Sequence, residues 1–404
     1  MYKRKVRFMA LCLGIIFSFS FAGCGSSSRV SSSQPRSVQN KQSEANASKT
    51  PATQANTSEP TNSNASLNGA ILSTGPHGEK ATPATSLKLT DEEIAKVRAG
   101  KYTAAIVLHY AGNDWSTAQV QGLKDTFSKL GIKVVAVTDA NFKAEKQVSD
   151  IESVVALNPN IIVSIPVDPV STAPAYKKAA EKGIKLVFMD NVPNGLKPGK
   201  DYVSVVSADN YGNGVAAADI MAKALGYKGK IGVIYYDADF FVTNQRTQAF
   251  ERTIKAKYPN IKIVDRGGFN DPNKASSVAD AMLTKHPDLN GIFAVWDVPA
   301  EGVVAAVKAA GRKDLVVTTT DLGNNVARMI AEDDCVKGVG AQRPYDQGVA
   351  EATLAAFALL GKPAPSYVAV PSLAVTKDNV LEAYKQVYHR NPPEALIKAV
   401  SNTK

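Results

Sequence analysis

The feature that most constrains the fold is an alternation, from Tyr102 onward, between short apolar β-branched runs and amphipathic stretches of helical period. Continuous apolar strands separated by helices of this kind are typical of βαβ units and of parallel sheets buried on both faces. The predicted strands are residues 104–109, 133–137, 160–165, 185–189, 203–206, 230–235, 262–265, 291–295, 315–320 and 336–341. The predicted helices include residues 117–130, 145–157, 212–225, 244–257 and 275–285.

The length of the chain bears on how these units are arranged. A chain of 404 residues is too long for one ordinary domain. The strands could form one wide sheet or two smaller doubly wound sheets, and length favours two lobes. The predicted fold class is therefore α/β, with two Rossmann-like lobes.

The amino terminus has the pattern of a secretory leader. Residues 1–7 carry four basic side chains, residues 8–21 are apolar, and Ala22 and Gly23 precede Cys24. An apolar run this short is typical of a signal peptide rather than of a membrane span. The segment Phe21-Ala22-Gly23-Cys24 resembles a bacterial lipobox, with phenylalanine where leucine is usual. The expectation is a lipoprotein signal peptide over residues 1–23, lipid on Cys24, and a body outside the cytoplasm on the cell membrane. An uncleaved anchor is the alternative.

Residues 24–90 are rich in Ser, Asn, Thr, Gln, Ala and Pro and contain few large apolar side chains. Such a segment buries too little surface to offset the entropy of ordering it. A disordered tether is therefore expected over residues 24–90.

Charge and composition exclude several functions. The net charge is +10, but four basic residues lie in the leader, and the other basic residues are scattered rather than interleaved with aromatics. Nucleic-acid binding is therefore not expected. The four histidines are dispersed and no C-x-x-C pair or G-x-S-x-G elbow occurs, so neither a metal site nor an enzyme is indicated, and no cofactor is expected. The role of Cys335 is left open, with a buried inert thiol favoured.

Aromatic and polar side chains follow the predicted strands at their carboxyl ends, where doubly wound sheets bind ligands. Those that follow successive strands are Trp115, Ser116, Asp190, Asn191, Phe240, Asn244, Trp296, Asp321 and Gln342. Aromatic faces cover the C–H faces of a sugar, while carboxylates and amides bond its hydroxyls. A single Asp after a strand is also a common turn former or N-cap, so the prediction rests on the joint pattern.

The order of these loops over residues 102–376 resembles the type I periplasmic binding proteins, specifically the ribose-binding-like group. The markers are residues 207–212, 285–288 with 292–294, 320–321 and 340–342. The resemblance implies two lobes joined by three hinge crossings, with a cleft that closes around the solute. It suggests an N-lobe of residues 100–207 with 343–370, and a C-lobe of residues 208–342 with 371–404.

The resemblance also assigns pocket positions. Trp115, Asp190, Asp321 and Gln342 match the family pattern. Ser116 stands in place of a second aromatic, and Asn191 and Asn244 stand in place of arginines. Asn270 falls where the family has an aromatic residue, and Trp296 falls where it has an asparagine. The matches indicate a ligand of the sugar class, whereas the departures argue against ribose itself.

The resulting prediction is a monomeric substrate-binding protein that captures a small polar solute, a sugar or polyol, for an ABC permease. Two alternatives stay open. With two tryptophans, two carboxylates and few arginines, the site could hold a cationic amine. It could also hold a furanosyl signalling molecule that is delivered to a sensor. A transcriptional regulator of the same fold would need a helix-turn-helix where the leader and tether stand.

Overall fold

The computed structural model describes residues 70–403 and contains two parallel β-sheets flanked by helices. The predicted signal peptide, Cys24 and residues 24–69 of the predicted tether lie outside the described residues. The strands are β1 (Thr82–Pro83), β2 (Thr103–Leu108), β3 (Lys133–Asp139), β4 (Ile161–Ser164), β5 (Lys185–Met189), β6 (Ser204–Ala208), β7 (Gly229–Tyr236), β8 (Ile261–Phe269), β9 (Gly291–Ala294), β10 (Val316–Thr320), β11 (Val336–Ala341), β12 (Tyr367–Val370) and β13 (Leu373–Val375).

The helices occupy the connections between these strands. They are α1 (Asp91–Ala99), α2 (Asp114–Lys129), α3 (Ala144–Ala156), α4 (Ala173–Glu181), α5 (Asn210–Ala224), α6 (Phe241–Lys257), α7 (Ala275–Lys285), α8 (Asp297–Ala309), α9 (Asn324–Ala331), α10 (Pro344–Leu359), α11 (Val380–Tyr388) and α12 (Glu394–Asn402). Short 3₁₀ helices over Ala84–Ser86 and Pro272–Lys274 complete the described elements.

Each lobe contains one sheet. The N-lobe sheet has the strand order β1-β12-β6-β5-β4-β2-β3, and the C-lobe sheet has the order β13-β11-β10-β9-β7-β8. Neighbouring strands are parallel except for β13, which pairs antiparallel with β11. All ten strands predicted from the sequence are present, and the structure adds β1, β12 and β13.

Both faces of the N-lobe sheet are buried, which explains the continuous apolar strands. Successive residues of β2 point into different hydrophobic clusters: Ile106 packs in the same cluster as Phe127, and Val107 in the same cluster as Tyr176. A strand covered on both sides has no polar face, so its sequence does not alternate.

The chain crosses between the lobes three times. The crossings run from β6 to α5, from β11 to α10 and from β12 to β13. The predicted fold class, two Rossmann-like lobes joined by a three-strand hinge, is confirmed. Asp209, at the first crossing, is the N-cap of α5, and its Oδ1 accepts a hydrogen bond of 3.0 Å from the backbone N–H of Gly212.

The prediction of a tether through residue 90 was wrong for residues 70–90, which form part of the folded body. The backbone N–H groups of Leu72 and Ser73 donate to the carboxylate of Asp209 at 3.0 and 2.9 Å, and β1 pairs with β12. The Ser73 hydroxyl also donates to Asp209 Oδ1 at 2.8 Å. This attachment consists of bonds to distant residues, Asp209 foremost, together with a two-residue strand and a few scattered apolar contacts, so it leaves no periodic pattern in the sequence.

Candidate functional site

A cavity lies between the two lobes, at the carboxyl ends of strands from both sheets. Its lining comprises seven aromatic rings, counting histidine, together with six polar or charged and two aliphatic side chains. The lining residues are His109, Tyr110, Asn113, Trp115, Phe142, Ile165, Asp190, Tyr236, Phe240, Val242, Thr243, Arg246, Trp296, Asp321 and Gln342. The volume open to water-sized spheres is about 60 Å³, which by this measure holds about four to six waters. The cavity suits one small molecule rather than a polymer.

The aromatic rings of the cavity contact one another across the cleft. His109 of the N-lobe stacks on Phe240 of the C-lobe, with ring centroids 5.6 Å apart and planes 22° apart. Trp115 and Phe142 meet the edge of His109 at 6.1 and 5.2 Å. In the C-lobe, Trp296 packs against Tyr236 with centroids 5.4 Å apart. The cavity therefore has a continuous aromatic wall to which both lobes contribute.

Two aspartates occupy corresponding places in the two lobes. Asp190 follows β5 and Asp321 follows β10, and both adopt left-handed backbone conformations, with φ of 56° and 69°. Asp is one of the few non-glycine residues enriched in this region. Backbone strain of this kind clusters at functional sites. The turn at each strand end brings a carboxylate to the cavity.

The carboxylate of Asp321 is neutralised within its own lobe. Arg246 Nη1 lies 3.3 Å from Asp321 Oδ2, and its Nε donates to Asn210 Oδ1 at 2.7 Å. Gln342 Nε2 donates to Asp321 Oδ1 at 2.7 Å. Nearby, burial and the charge of Asp321 raise the pKa of Asp297 well above its usual range.

In contrast to Asp321, Asp190 has no cationic side chain bonded to its carboxylate within residues 70–403. The Ser207 hydroxyl donates to Asp190 Oδ1 at 2.6 Å. Burial raises the pKa of Asp190 to about 6, against the lowering effects of Ser207 and Arg246. Near neutral pH the cavity therefore carries about one net negative charge.

Several buried polar atoms of the lining have no hydrogen-bond partner within residues 70–403. They are Trp115 Nε1, Gln342 Oε1 and His109 Nδ1. Burial lowers the pKa of His109 to about 3, so its ring is neutral at physiological pH. Buried polar atoms are nearly always satisfied in proteins, so unfilled ones on a cavity wall indicate a polar occupant.

The structure brings six of the ten residues predicted for the ligand site to the cavity: Trp115, Asp190, Phe240, Trp296, Asp321 and Gln342. The other four lie outside its lining. Ser116 is buried in the first turn of α2, where its N–H donates to Asn113. Asn191 Oδ1 accepts a bond from the backbone of Phe241.

The two remaining asparagines face elsewhere. Asn244 lines a separate surface groove with Tyr235 and Arg266, and Asn270 is exposed after β8. These positions were assigned by matching a family pattern; Asn244 lies in the first turn of α6 and Asn270 follows β8, and neither side chain lines the cavity.

Sequence reasoning missed nine lining residues. They are His109, Tyr110, Asn113, Phe142, Ile165, Tyr236, Val242, Thr243 and Arg246. Tyr110 and Asn113 stand in the same loop as Trp115, so reading that whole loop as lining could have found them. Arg246 lies two residues after Asn244, the position matched to a family arginine, and its pairing with a carboxylate of its own lobe is the contact that the structure shows with Asp321.

Comparison with known proteins decides the family. A sequence profile of the periplasmic binding protein domain matches residues 104–363. The chain belongs to the periplasmic binding protein domain family. Its resemblance to the ribose-binding-like group is confirmed by relatives such as the ribose import binding protein of Salmonella typhimurium, 26% identical over 262 residues, 65% of this chain and 86% of that protein.

Solved structures of the family are also similar to this chain. A solute-binding protein from Agrobacterium vitis bound to α-D-tagatopyranose has a TM-score of 0.66 and 25% identity, covering 71% of this chain and 99% of that one. A protein from Actinobacillus succinogenes with bound D-allose has a TM-score of 0.63 and 26% identity, covering 69% and 99%. These relatives are substrate-binding proteins of sugar ABC transporters rather than enzymes, and the family is extracytoplasmic.

Residues 70–403 contain neither a membrane-spanning helix nor a cluster of metal-ligating side chains. Within that range no helix combines the length and apolar character needed to cross a bilayer. The same residues contain no group of three or more His, Cys, Asp or Glu side chains placed to hold a metal ion.

The raised pKa of Asp190 generates a prediction. Its folded pKa of about 6 lies above the ordinary value of 3.8 for an aspartate, so the folded state holds its proton more tightly and stability falls as pH rises from about 4 to 6. Asp190→Asn removes this penalty and still accepts the bond from Ser207. We expect it to raise the free energy of unfolding at pH 7 by on the order of 2 kcal/mol. The gain should disappear below pH 4.

Denaturant unfolding of both proteins between pH 3.5 and 7.5, without added sugar, measures this difference. Ser204→Ala, a change at a buried serine away from the cavity, serves as the control with no such pH trend. A variant less stable than the native chain at pH 7, or a gain that does not depend on pH, would contradict the assignment.

Proposed function

We propose that this chain is the substrate-binding lipoprotein of an ABC importer and captures one sugar or polyol molecule between its two lobes. The observation that carries the proposal is a single interlobe cavity that combines aromatic rings, an unneutralised carboxylate and unfilled hydrogen-bonding atoms. No step of covalent chemistry is involved. Capture, exclusion of water and delivery to a permease make up the mechanism.

The aromatic wall suits the C–H faces of a sugar ring. Trp115 from one lobe and Trp296 from the other both line the cavity. Each presents a large apolar surface of low conformational entropy, and only closure of the lobes gives a ligand both surfaces. This arrangement makes affinity depend on closure.

The polar atoms supply both donors and acceptors for hydroxyl groups. The Trp115 indole N–H is a donor, whereas Asp190 and Gln342 Oε1 are acceptors. A hydroxyl can donate to a carboxylate and accept from an indole N–H at once. Because Arg246 neutralises Asp321, the cavity does not call for a highly charged ligand.

The similar proteins support the transport role. The ribose import binding protein of Salmonella typhimurium is named for import, and the Agrobacterium vitis and Actinobacillus succinogenes proteins bind tagatopyranose and allose. We infer an ABC permease as the partner of the closed form and a monomer as the working state. The exact sugar is left to experiment, because the identities are near 26% and the pocket differs from the family pattern at several positions.

The leader supports attachment to the membrane. A signal peptide over residues 1–23 followed by Cys24 would place diacylglycerol on the cysteine thiol. The polar segment that follows would keep the body near the membrane surface, on the outer face of the cell membrane, where the permease receives its substrate.

A cationic amine is the second candidate, favoured by one observation. Asp190 carries a charge without a bonded cation, and the cavity is lined by seven aromatic rings, a combination that also binds ammonium groups. A furanosyl signalling molecule would use the same hydroxyl contacts as a sugar and would differ in its destination.

A ligand screen tests the proposal. We expect D-ribose, D-allose, D-tagatose, ribitol or allitol to raise the melting temperature of the purified chain, because binding stabilises the folded state by RT ln(1 + [L]/Kd). Choline and putrescine serve as the amine arm. A shift with the amines and none with any sugar or polyol would transfer the site to the second candidate.

Variants localise the response. Trp115→Ala and Gln342→Ala should each weaken the affinity of the sugar that binds by at least about tenfold, since each removes a contact made in the closed cavity. Asn270→Ala is the matched control and should retain the native affinity. Loss of binding in Asn270→Ala with retention in Trp115→Ala would refute this site.

Lipid attachment has its own test. When cells that express the chain are labelled with radioactive palmitate, the native protein should carry label and sediment with membranes. Cys24→Ala should carry none, because the thiol is the acceptor of diacylglycerol, and Cys335→Ala should behave as the native chain. Label that persists in Cys24→Ala would contradict the assignment of the lipid site.

A further inference from the structure

Most described helices of the C-lobe, α6 and α9 among them, begin without a side-chain hydrogen bond from their own N-cap residue. The N-cap residue of α6 is Phe240, and that of α9 is Gly323; neither provides a side-chain hydrogen bond to its helix. The first backbone N–H groups of a helix have no partner within it. Both helix starts therefore need an acceptor from elsewhere.

The N-lobe supplies both acceptors. Asp114 Oδ2 accepts from the backbone N–H of Asn324, the first residue of α9, at 2.7 Å, and Asp114 Oδ1 accepts from the Asn324 side-chain amide at 2.6 Å. Asn191 Oδ1 accepts from the backbone N–H of Phe241, the first residue of α6, at 3.1 Å. Each helix start is thus capped from across the cleft.

The surroundings of α9 are shaped for this contact. A Cβ atom on Gly323 would lie 2.4 Å from Asp297 Oδ2, so glycine lets the start of α9 pack against Asp297 and beside Asp114. Tyr384 donates its hydroxyl proton to Asn324 Oδ1 at 2.7 Å and orients the amide toward Asp114. The negative charge of Asp114 is also favourable at a helix N-terminus.

We propose that Asp114 and Asn191 are positioning residues that set how readily the lobes close, and that neither contacts the ligand. The inference rests on the proposed function, because it assigns these residues a part in capture. It also replaces the ligand-contact role that the sequence suggested for Asn191. Since both caps form only when the lobes meet, they stabilise the closed arrangement together.

The first test needs no ligand, so it is independent of the sugar assignment. Hydrogen–deuterium exchange of the full chain in buffer should show faster exchange in Asp114→Ala than in the native chain. The increase should appear both at the start of α9 and at the start of α6, where Asn191 is the cap, because one closure event forms both. Faster exchange at α9 alone, or no change, overturns the proposal.

The second test uses whichever of D-ribose, D-allose and D-tagatose binds most tightly. Asp114→Ala and Asn191→Ala should each raise its dissociation rate about five- to tenfold, with the association rate and the unfolding midpoint without sugar nearly unchanged. Asn324→Asp places two carboxylates together and should act likewise. Asp114→Asn combined with Asn324→Asp restores an amide–carboxylate pair and should recover most of the native rate.

The proposal is overturned if the double variant (Asp114→Asn with Asn324→Asp) releases the sugar no more slowly than Asn324→Asp alone. It is also overturned if Asp114→Ala keeps the native dissociation rate. If no sugar binds, the proposed function fails, whereas the exchange experiment still decides the role of the caps.

Discussion

Burial of both faces of each parallel sheet is the constraint on which the rest of the structure depends. It leaves the strand ends as the places where polar side chains can stand without being covered by helices. Because two such sheets present their carboxyl ends to one gap, residues far apart in sequence, such as Asp190 and Asp321, line the same cavity. Both aspartates adopt a left-handed backbone conformation, so the chain leaves the strand in the same way in the two lobes.

The polar side chains of the cavity fall into two groups, those bonded to one another within the C-lobe and the carboxylate of Asp190. Arg246, Gln342 and Asn210 bond within the C-lobe and fix Asp321 in place. Asp190, by contrast, is kept buried with a raised pKa, which costs stability in the empty protein. Under the proposed function, a group that destabilises the empty site and bonds the ligand would make closure respond to the ligand.

The sequence predicted the fold well because strand burial and helical period are local signals. It predicted the site in part: Asp190 and Asp321 stand directly after strands, Trp115 lies at the start of the helix that follows β2, and topology brings all three to the cleft. It could not predict the attachment of residues 70–90 to Asp209, or the caps that Asp114 and Asn191 provide, because these are hydrogen bonds between a few atoms of distant segments. Asn244 and Asn270 were misplaced because a family pattern fixes position along the chain but not the direction of a side chain.

The most direct test of the central claim uses the two tryptophans, the only ones in the chain, both of which line the cavity. Trp115→Phe and Trp296→Phe leave one reporter in the C-lobe and one in the N-lobe, respectively. In a titration with the sugar or polyol that binds, the emission of both variants should change, each with a single transition at that variant's own Kd. A ligand that alters the emission of one variant, while leaving the other unchanged at saturation, would contradict capture between the two lobes.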